Sequence, residues 1–388
     1  MAVSRRAFLA TVGAGGAGAL VLPAIHWRGY EALNAYQGLQ TVGSRRADRL
    51  LAAKPGMVRI DSNENPNGPG EHVFAAIRST LGQSNRYPVK AEDDLIEAIC
   101  KYHGVKPENV ILGCGSGELL RAAVRAFTRP DRALVSPAPT FEAPAAFAKF
   151  LNVPVAAPPV DAKLQLDLMA MADAAKGAGL VYFCNPNNPT ATVHGKAAVD
   201  AFVADVARRS SETTILIDEA YHHYVADPSY ATSVPLALAN PRVVVTRTFS
   251  KVFGMAGLRV GYAIGQTATL AAMAPWLLGS NVNALALAAA HTAIADAKHI
   301  ALEQRRNAVA RAATRTFFEN AGFTVGTSEA NFMMVDIRRD VQAFKSECLA
   351  KGVAVGRPFP PLSTHLRVSI GTIAEMKKAI AVFHQTLA

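Results

Sequence analysis

Between residues 110 and 264 the chain alternates short, unbroken apolar runs with longer amphipathic stretches, and this alternation restricts the fold more than any other feature. Runs rich in β-branched residues occur at 110–112, 133–135, 180–184, 214–218, 243–246 and 260–264. A strand that is apolar at successive positions must be covered on both faces. The stretches 118–127 and 196–209 carry the helical period that would cover them. The expected class is therefore α/β, with a mostly parallel sheet between helices.

Flanking segments differ in character. Residues 61–70 are a dense turn cluster, followed by predicted helices at 72–81 and 93–103. After Gly265 the chain becomes Ala-rich helix to about residue 320. Predicted strands at 331–336, 353–355 and 366–370, then a closing helix, indicate a smaller α+β unit. The 388 residues also exceed the roughly 250–300 that one core organises. The expected division is a leader at 1–24, an N-terminal segment at 25–84 contributing to the small domain, a large domain at 85–280 and a small domain at 281–388.

The leader stands apart. Ser4-Arg5-Arg6-Ala7-Phe8-Leu9 opens an Ala- and Gly-rich stretch without charge until Arg28, ending on small residues near Ala24. This pattern predicts an export signal of the twin-arginine kind, which carries folded proteins to the bacterial periplasm. The chain would be cytoplasmic if the leader is not used. Gly13 to Gly18 also satisfies GxGxxG, but Pro23 interrupts the helix that a dinucleotide-binding turn requires. The segment 36–42 offers no acid for a ribose. Past the leader no apolar run reaches the about 20 residues that span a bilayer.

Charge narrows the partners. The formal net charge is +10, yet it is spread thinly with no long Lys/Arg block, so a nucleic-acid groove is not expected. Four cysteines without a CxxC pair argue against a zinc ribbon or disulfide scaffold, and no metal is expected. Cys100 and Cys348 fall on helical patterns as core residues, and the pair His222-His223 reads as a solvated loop.

In open α/β sheets ligands bind beyond the carboxyl ends of the strands. After the first run comes Gly113-Cys114-Gly115-Ser116-Gly117-Glu118. This is either a phosphate cradle at a helix N-terminus or a plain turn. After 180–184 comes Asn185-Pro186-Asn187-Asn188-Pro189-Thr190, which offers amide donors. After 214–217 comes Asp218-Glu219-Ala220-Tyr221, whose acid is either functional or a helix cap. After 243–246 comes Arg247-Thr248-Phe249-Ser250-Lys251, with Arg259 on the Gly-rich loop beyond. A lysine in a cationic, desolvated site loses pKa and becomes a nucleophilic amine.

In this order the motifs resemble the fold-type I PLP-dependent aminotransferases of class I and II, and among them the histidinol-phosphate aminotransferase family. The resemblance runs from about Asp61 to the C-terminus. It rests on Asn63-Glu64-Asn65-Pro66, Tyr87-Pro88, Asn185 to Thr190, Asp218 to Tyr221, Ser250-Lys251 with Arg259, and Leu366-Arg367. It implies the PLP-dependent transferase fold type I and pyridoxal 5'-phosphate as cofactor. Lys251 would form the imine with the cofactor aldehyde and shuttle the proton. Asp218 would pair with the pyridine nitrogen, and Asn188 and Tyr221 with the ring oxygen. Gly115, Ser116, Gly117, Thr248, Ser250 and Arg259 would hold the phosphate. Phe141 would stack on the ring, and Tyr87 would reach a partner subunit's cofactor phosphate in a homodimer. Arg367 would clamp the substrate carboxylate beside Asn188, with Arg357 near the position associated with a distal phosphate. Ala191 replaces the family's usual glycine.

The implied activity is ping-pong transfer of an amino group between an amino acid, or an amino-alcohol phosphate such as histidinol phosphate, and a 2-oxo acid. Two alternatives are another reaction on the same scaffold, such as amino-acid-phosphate decarboxylation, and a non-catalytic exported binding protein.

Overall fold

A computed structural model describes residues 55–387. The expected leader at 1–24, and residues 25–54 of the expected N-terminal segment, lie outside the described residues. Among the described residues no helix is long and apolar enough to cross a membrane.

Among the described residues twelve strands form three sheets. In chain order they are β1 (Val58–Ile60), β2 (Val110–Gly113), β3 (Leu134–Val135), β4 (Val155–Ala156), β5 (Leu180–Cys184), β6 (Thr214–Asp218), β7 (Val243–Thr248), β8 (Gly261–Gly265), β9 (Thr324–Val325), β10 (Phe332–Asp336), β11 (Val353–Val355) and β12 (His365–Ser369). The main sheet runs β2-β8-β7-β6-β5-β3-β4, and β8 alone is antiparallel to its neighbours. This is the mostly parallel α/β sheet that the apolar runs require.

Side chains alternate across it. Val181, Phe183, Ile215, Ile217, Val243 and Val245 enter one core, and Leu180, Tyr182, Leu216 and Val244 enter the other. Both faces are dry, which is why these strands carry so little polar alternation. The helix Ser116–Phe127 covers the second face through Leu119, Leu120 and Ala123, and Lys196–Arg209 covers the first through Val199, Phe202 and Val206.

A separate core gathers Phe318, Met333, Phe344, Leu366 and Phe383 with Val58 and Ile60. Here β1 pairs in parallel with β11, while β12-β10-β9 form an antiparallel sheet. The helix Ala284–Ile294 lies beyond the boundary expected at 280, yet its Ala286, Leu287 and Ala290 join the large core beside Val73 of the helix Glu71–Thr80. That helix is apolar on nearly every side, so it belongs where it can be covered all round.

Candidate active site

The carboxyl ends of β2, β7, β6 and β5 open on one rim. Because β8 runs the other way, its entry rather than its exit lies there, and this brings Arg259 to the same edge. A cavity of about 840 Å³ follows. Its lining includes Ser116, Gly117, Phe141, Asn188, Asp218, Tyr221, Thr248, Ser250, Lys251, Arg259, Arg357 and Arg367. Chain segments as distant as 61–64 and 354–367 complete the wall.

The anion end is made of amides and hydroxyls. Thr248 Oγ1 donates to Ser250 Oγ at 2.9 Å, and Arg259 Nη1 donates to the same Ser250 Oγ at 3.3 Å. Ser116 and Gly117 begin the twelve-residue helix whose N-terminal amides face this end. Gly115 has φ +73°, and a Cβ there would lie 2.2 Å from the Arg259 guanidinium. A Cβ on Gly261 would lie 2.4 Å from the Ser116 amide. The cradle therefore exists only because both positions lack a side chain.

Asp218 ends β6 and is buried. Tyr182 donates its hydroxyl to Oδ2 at 2.9 Å and Thr246 donates to Oδ1 at 3.3 Å. Burial outweighs these donors and lifts the carboxyl to about 6. A cation placed against it would reverse that shift. Tyr221 is held well above the usual phenol range by burial, so it stays a donor, and its oxygen accepts from Asn63 Nδ2 at 3.2 Å.

Lys251 reaches in from the loop after β7. Its Nζ donates to the Asn63 carbonyl at 3.1 Å and lies 5.5 Å from the Tyr221 ring centroid. Burial, then the nearby Arg367 guanidinium, lowers it from 10.5 to about 8. At neutral pH roughly a tenth of such amines are unprotonated, against a few in ten thousand for an ordinary lysine.

Arg367, on β12, donates from Nη1 to Asn188 Oδ1 at 2.8 Å and from Nη2 to the Asp61 carbonyl at 2.6 Å. Its Nε is buried with no hydrogen-bond partner among the described residues. A guanidinium fixed on one edge and unsatisfied at Nε suits a carboxylate. Beyond it Arg357 lies 4.1 Å from the Phe359 ring centroid and pairs with Glu142.

The cavity thus brings together the proposed amine, acid, phenol, amide and anion cradle. Tyr87 is not among its walls and is 86% exposed. Residues that sequence reasoning assigned no role also matter. Asn63 links Lys251 and Tyr221, and exchanges hydrogen bonds with Ser369 through N–H to Oγ at 2.9 Å and Oγ–H to Oδ1 at 2.6 Å. Tyr182 was legible only as an apolar strand position. Beneath the site Arg247 and Glu219 form a fully buried ion pair. His223 is buried and within hydrogen-bond reach of Tyr102, so the histidine pair is not the solvated loop expected: the short turn after Tyr221 folds it inward against Phe253.

The residues present fit a cofactor with an aldehyde, a basic ring nitrogen and a phosphate: a low-pKa amine, a buried acid and a steric cradle of glycines. Comparison with known proteins agrees. Residues 55–383 match the family described as aminotransferase class I and II. The chain is 33% identical over 334 residues to a histidinol-phosphate aminotransferase of Symbiobacterium thermophilum, covering 85% of this chain and 91% of that one. It is also 33% identical to an aromatic amino acid aminotransferase of Nocardia farcinica, covering 82% and 88%. A solved histidinol-phosphate aminotransferase from Sinorhizobium meliloti, in complex with pyridoxal-5'-phosphate, superposes with a TM-score of 0.82 at 25% identity, covering 96% of this chain and 98% of that one.

Proposed function

Since this chain belongs to the class I and II aminotransferases, enzymes that move an amino group to a 2-oxo acid with pyridoxal 5'-phosphate, we propose that Lys251 is its catalytic amine and Arg367 its carboxylate fork. The observation that carries this reading is the Lys251 amine itself, drawn down to about 8 in one cavity with Asp218 and Arg367.

When bound, the cofactor supplies a carbonyl for the amino group and an electron-accepting ring. Asp218 is the group to hold the ring nitrogen protonated. Asn188 and Tyr221 are the donors for the ring oxygen, and Phe141 is the face for its plane. Ser116, Gly117, Thr248, Ser250 and Arg259, with the space left by Gly115, would hold the phosphate. Charge-assisted hydrogen bonds of about 1.5–3 kcal/mol each make that grip strong. Lys251 is the residue that would take and hand back the proton of the substrate carbon at its Nζ, because its amine is free often enough near neutrality to act as a base. Arg367 orients the donor and then the acceptor, which use the same fork in turn.

A phosphate monoester on the fork is a second reading, favoured by the unsatisfied Nε of Arg367, since phosphate matches guanidinium geometry as carboxylate does. Absorbance-monitored half-reactions with phenylalanine, glutamate and histidinol phosphate separate the two readings. Borohydride treatment followed by peptide mapping should couple the cofactor to Lys251; coupling to any other lysine refutes the assignment.

We further propose a homodimer in which Tyr87 reaches the partner's cofactor phosphate. The exposure of Tyr87 beside Leu81 and Val89, at 86%, 55% and 60%, supports it. Light scattering and the cofactor affinity of Tyr87→Phe test it. The Arg5-Arg6 leader supports export of the folded, loaded enzyme.

A further inference from the structure

We propose that Glu142 is a specificity-determining residue, which occupies Arg357 and thereby biases the enzyme toward donors with uncharged side chains and away from those ending in an anion. The inference rests on the transamination reading above and goes beyond it.

The outer part of the cavity is organised around the ring of Phe359. Arg357 lies 4.1 Å from its centroid and Arg367 lies 4.8 Å from it. With Arg367 holding the α-carboxylate, Arg357 on the same ring is the next guanidinium that a second substrate anion would meet, and Phe141 lines the same cavity. An unengaged guanidinium there would select an anion. It is engaged, however: Arg357 Nη2 pairs with Glu142 Oε2, and Nη1 donates to the Pro358 carbonyl at 2.9 Å. Glu142 sits at the N-cap of the helix Ala143–Phe150, next to Phe141. Its position is set by the backbone that also sets the ring face.

Other charges facing this end are Arg59 with its partner Glu64 at 3.4 Å, Asp61, and Lys345 on the helix Val341–Ala350. Arg59 and Arg357 are thus each paired with an acid of the same wall. An incoming anionic side chain must compete with a carboxylate tethered within reach, whose effective concentration is far above that of free substrate. A neutral aromatic side chain meets no such competition, and the exposed Phe141 ring gives it apolar area.

The test uses the holoenzyme and compares kcat/KM for glutamate and phenylalanine with one common acceptor. The wild type should favour phenylalanine. Glu142→Gln keeps shape and removes the charge, so the glutamate-to-phenylalanine ratio should rise about ten- to a hundredfold, mainly through a lower KM for glutamate. Adding Arg357→Gln should abolish that gain. Glu142→Asp, whose carboxylate can still reach Arg357, should leave the ratio near the wild-type one. Parallel changes with both donors, a gain that survives without Arg357, or a wild-type preference for glutamate overturns the inference. A failure of every donor to change the cofactor spectrum would instead overturn the transamination reading.

Discussion

Replacing Lys251 with Met should stabilise the cofactor-free protein while ending turnover, because the lysine is held against its own electrostatic preference. Its pKa falls from 10.5 to about 8, chiefly through burial and then through Arg367. At 1.36 kcal/mol per pH unit, that gap corresponds to about 3 kcal/mol of penalty for the protonated form in the folded chain. The sign follows from proton counting. From about pH 8 to pH 10.5 the unfolded chain holds a proton that the folded chain has released, so stability rises with pH across that window. Below it the penalty is complete. Methionine keeps an unbranched stem and carries no charge, but it forfeits the 3.1 Å bond to Asn63, which is worth about 1 kcal/mol. The residue also keeps partial access to solvent, which trims the gain. The variant should therefore be about 1–2 kcal/mol more stable near pH 7, and this advantage should shrink by about 2 kcal/mol near pH 9.5. Urea denaturation of both apoproteins, followed by circular dichroism at the two pH values, measures it. A difference that does not vary with pH, or a variant less stable near neutrality, refutes the reasoning.

Asp218→Asn should retain cofactor and slow the half-reaction by about a hundredfold or more, read by stopped-flow absorbance; unchanged rates would reassign Asp218 to a purely structural position. Tyr182→Phe removes a donor that favours the Asp218 carboxylate, so the Asp218 pKa should rise and the acid limb of kcat/KM should move to higher pH. An unmoved limb would show that another group sets it. Arg367→Lys should raise KM for donor and acceptor alike by about ten- to a hundredfold, since a point charge cannot replace the fork. If only one substrate responds, Arg367 serves a side-chain group. Changing Arg5 and Arg6 together to Lys should retain active enzyme in the cytoplasm, as cell fractionation would read; a wild-type chain found cytosolic and unprocessed counts against export.

Much of the sheet was legible because its strands are buried on both faces. β5, β6 and β11 begin and end where their apolar runs do. The reversal of β8 was not legible, since an apolar run carries no direction. Strand-end polar residues were conspicuous for a similar reason: Asp218 and Lys251 are exceptions to the apolar pattern around them. Tyr182 conforms to that pattern, and its hydroxyl reaches Asp218 only because β5 and β6 pair with Cys184 opposite Asp218. Asn63 lies in a turn cluster where any polar residue looks ordinary, and its role emerges only when the chain's ends meet. Glu142 had no local signal at all, because its partner lies 215 positions away.

That meeting of distant segments has a consequence for how the enzyme is made. Asn63 and Ser369 stand 306 positions apart, and β1 cannot pair until β11 exists. At about 5–20 residues per second, ribosomal synthesis leaves an interval on the order of 15–60 s between them. Until it closes, the segment around Asn63 lacks Ser369 and β11, and Lys251 lacks the Arg367 charge. Capture of the cofactor in its working geometry is therefore an event of the released chain. A truncation that removes only β12 and the final helix Ile373–Leu387 would leave the large sheet whole, yet with a lysine no longer tuned for its task.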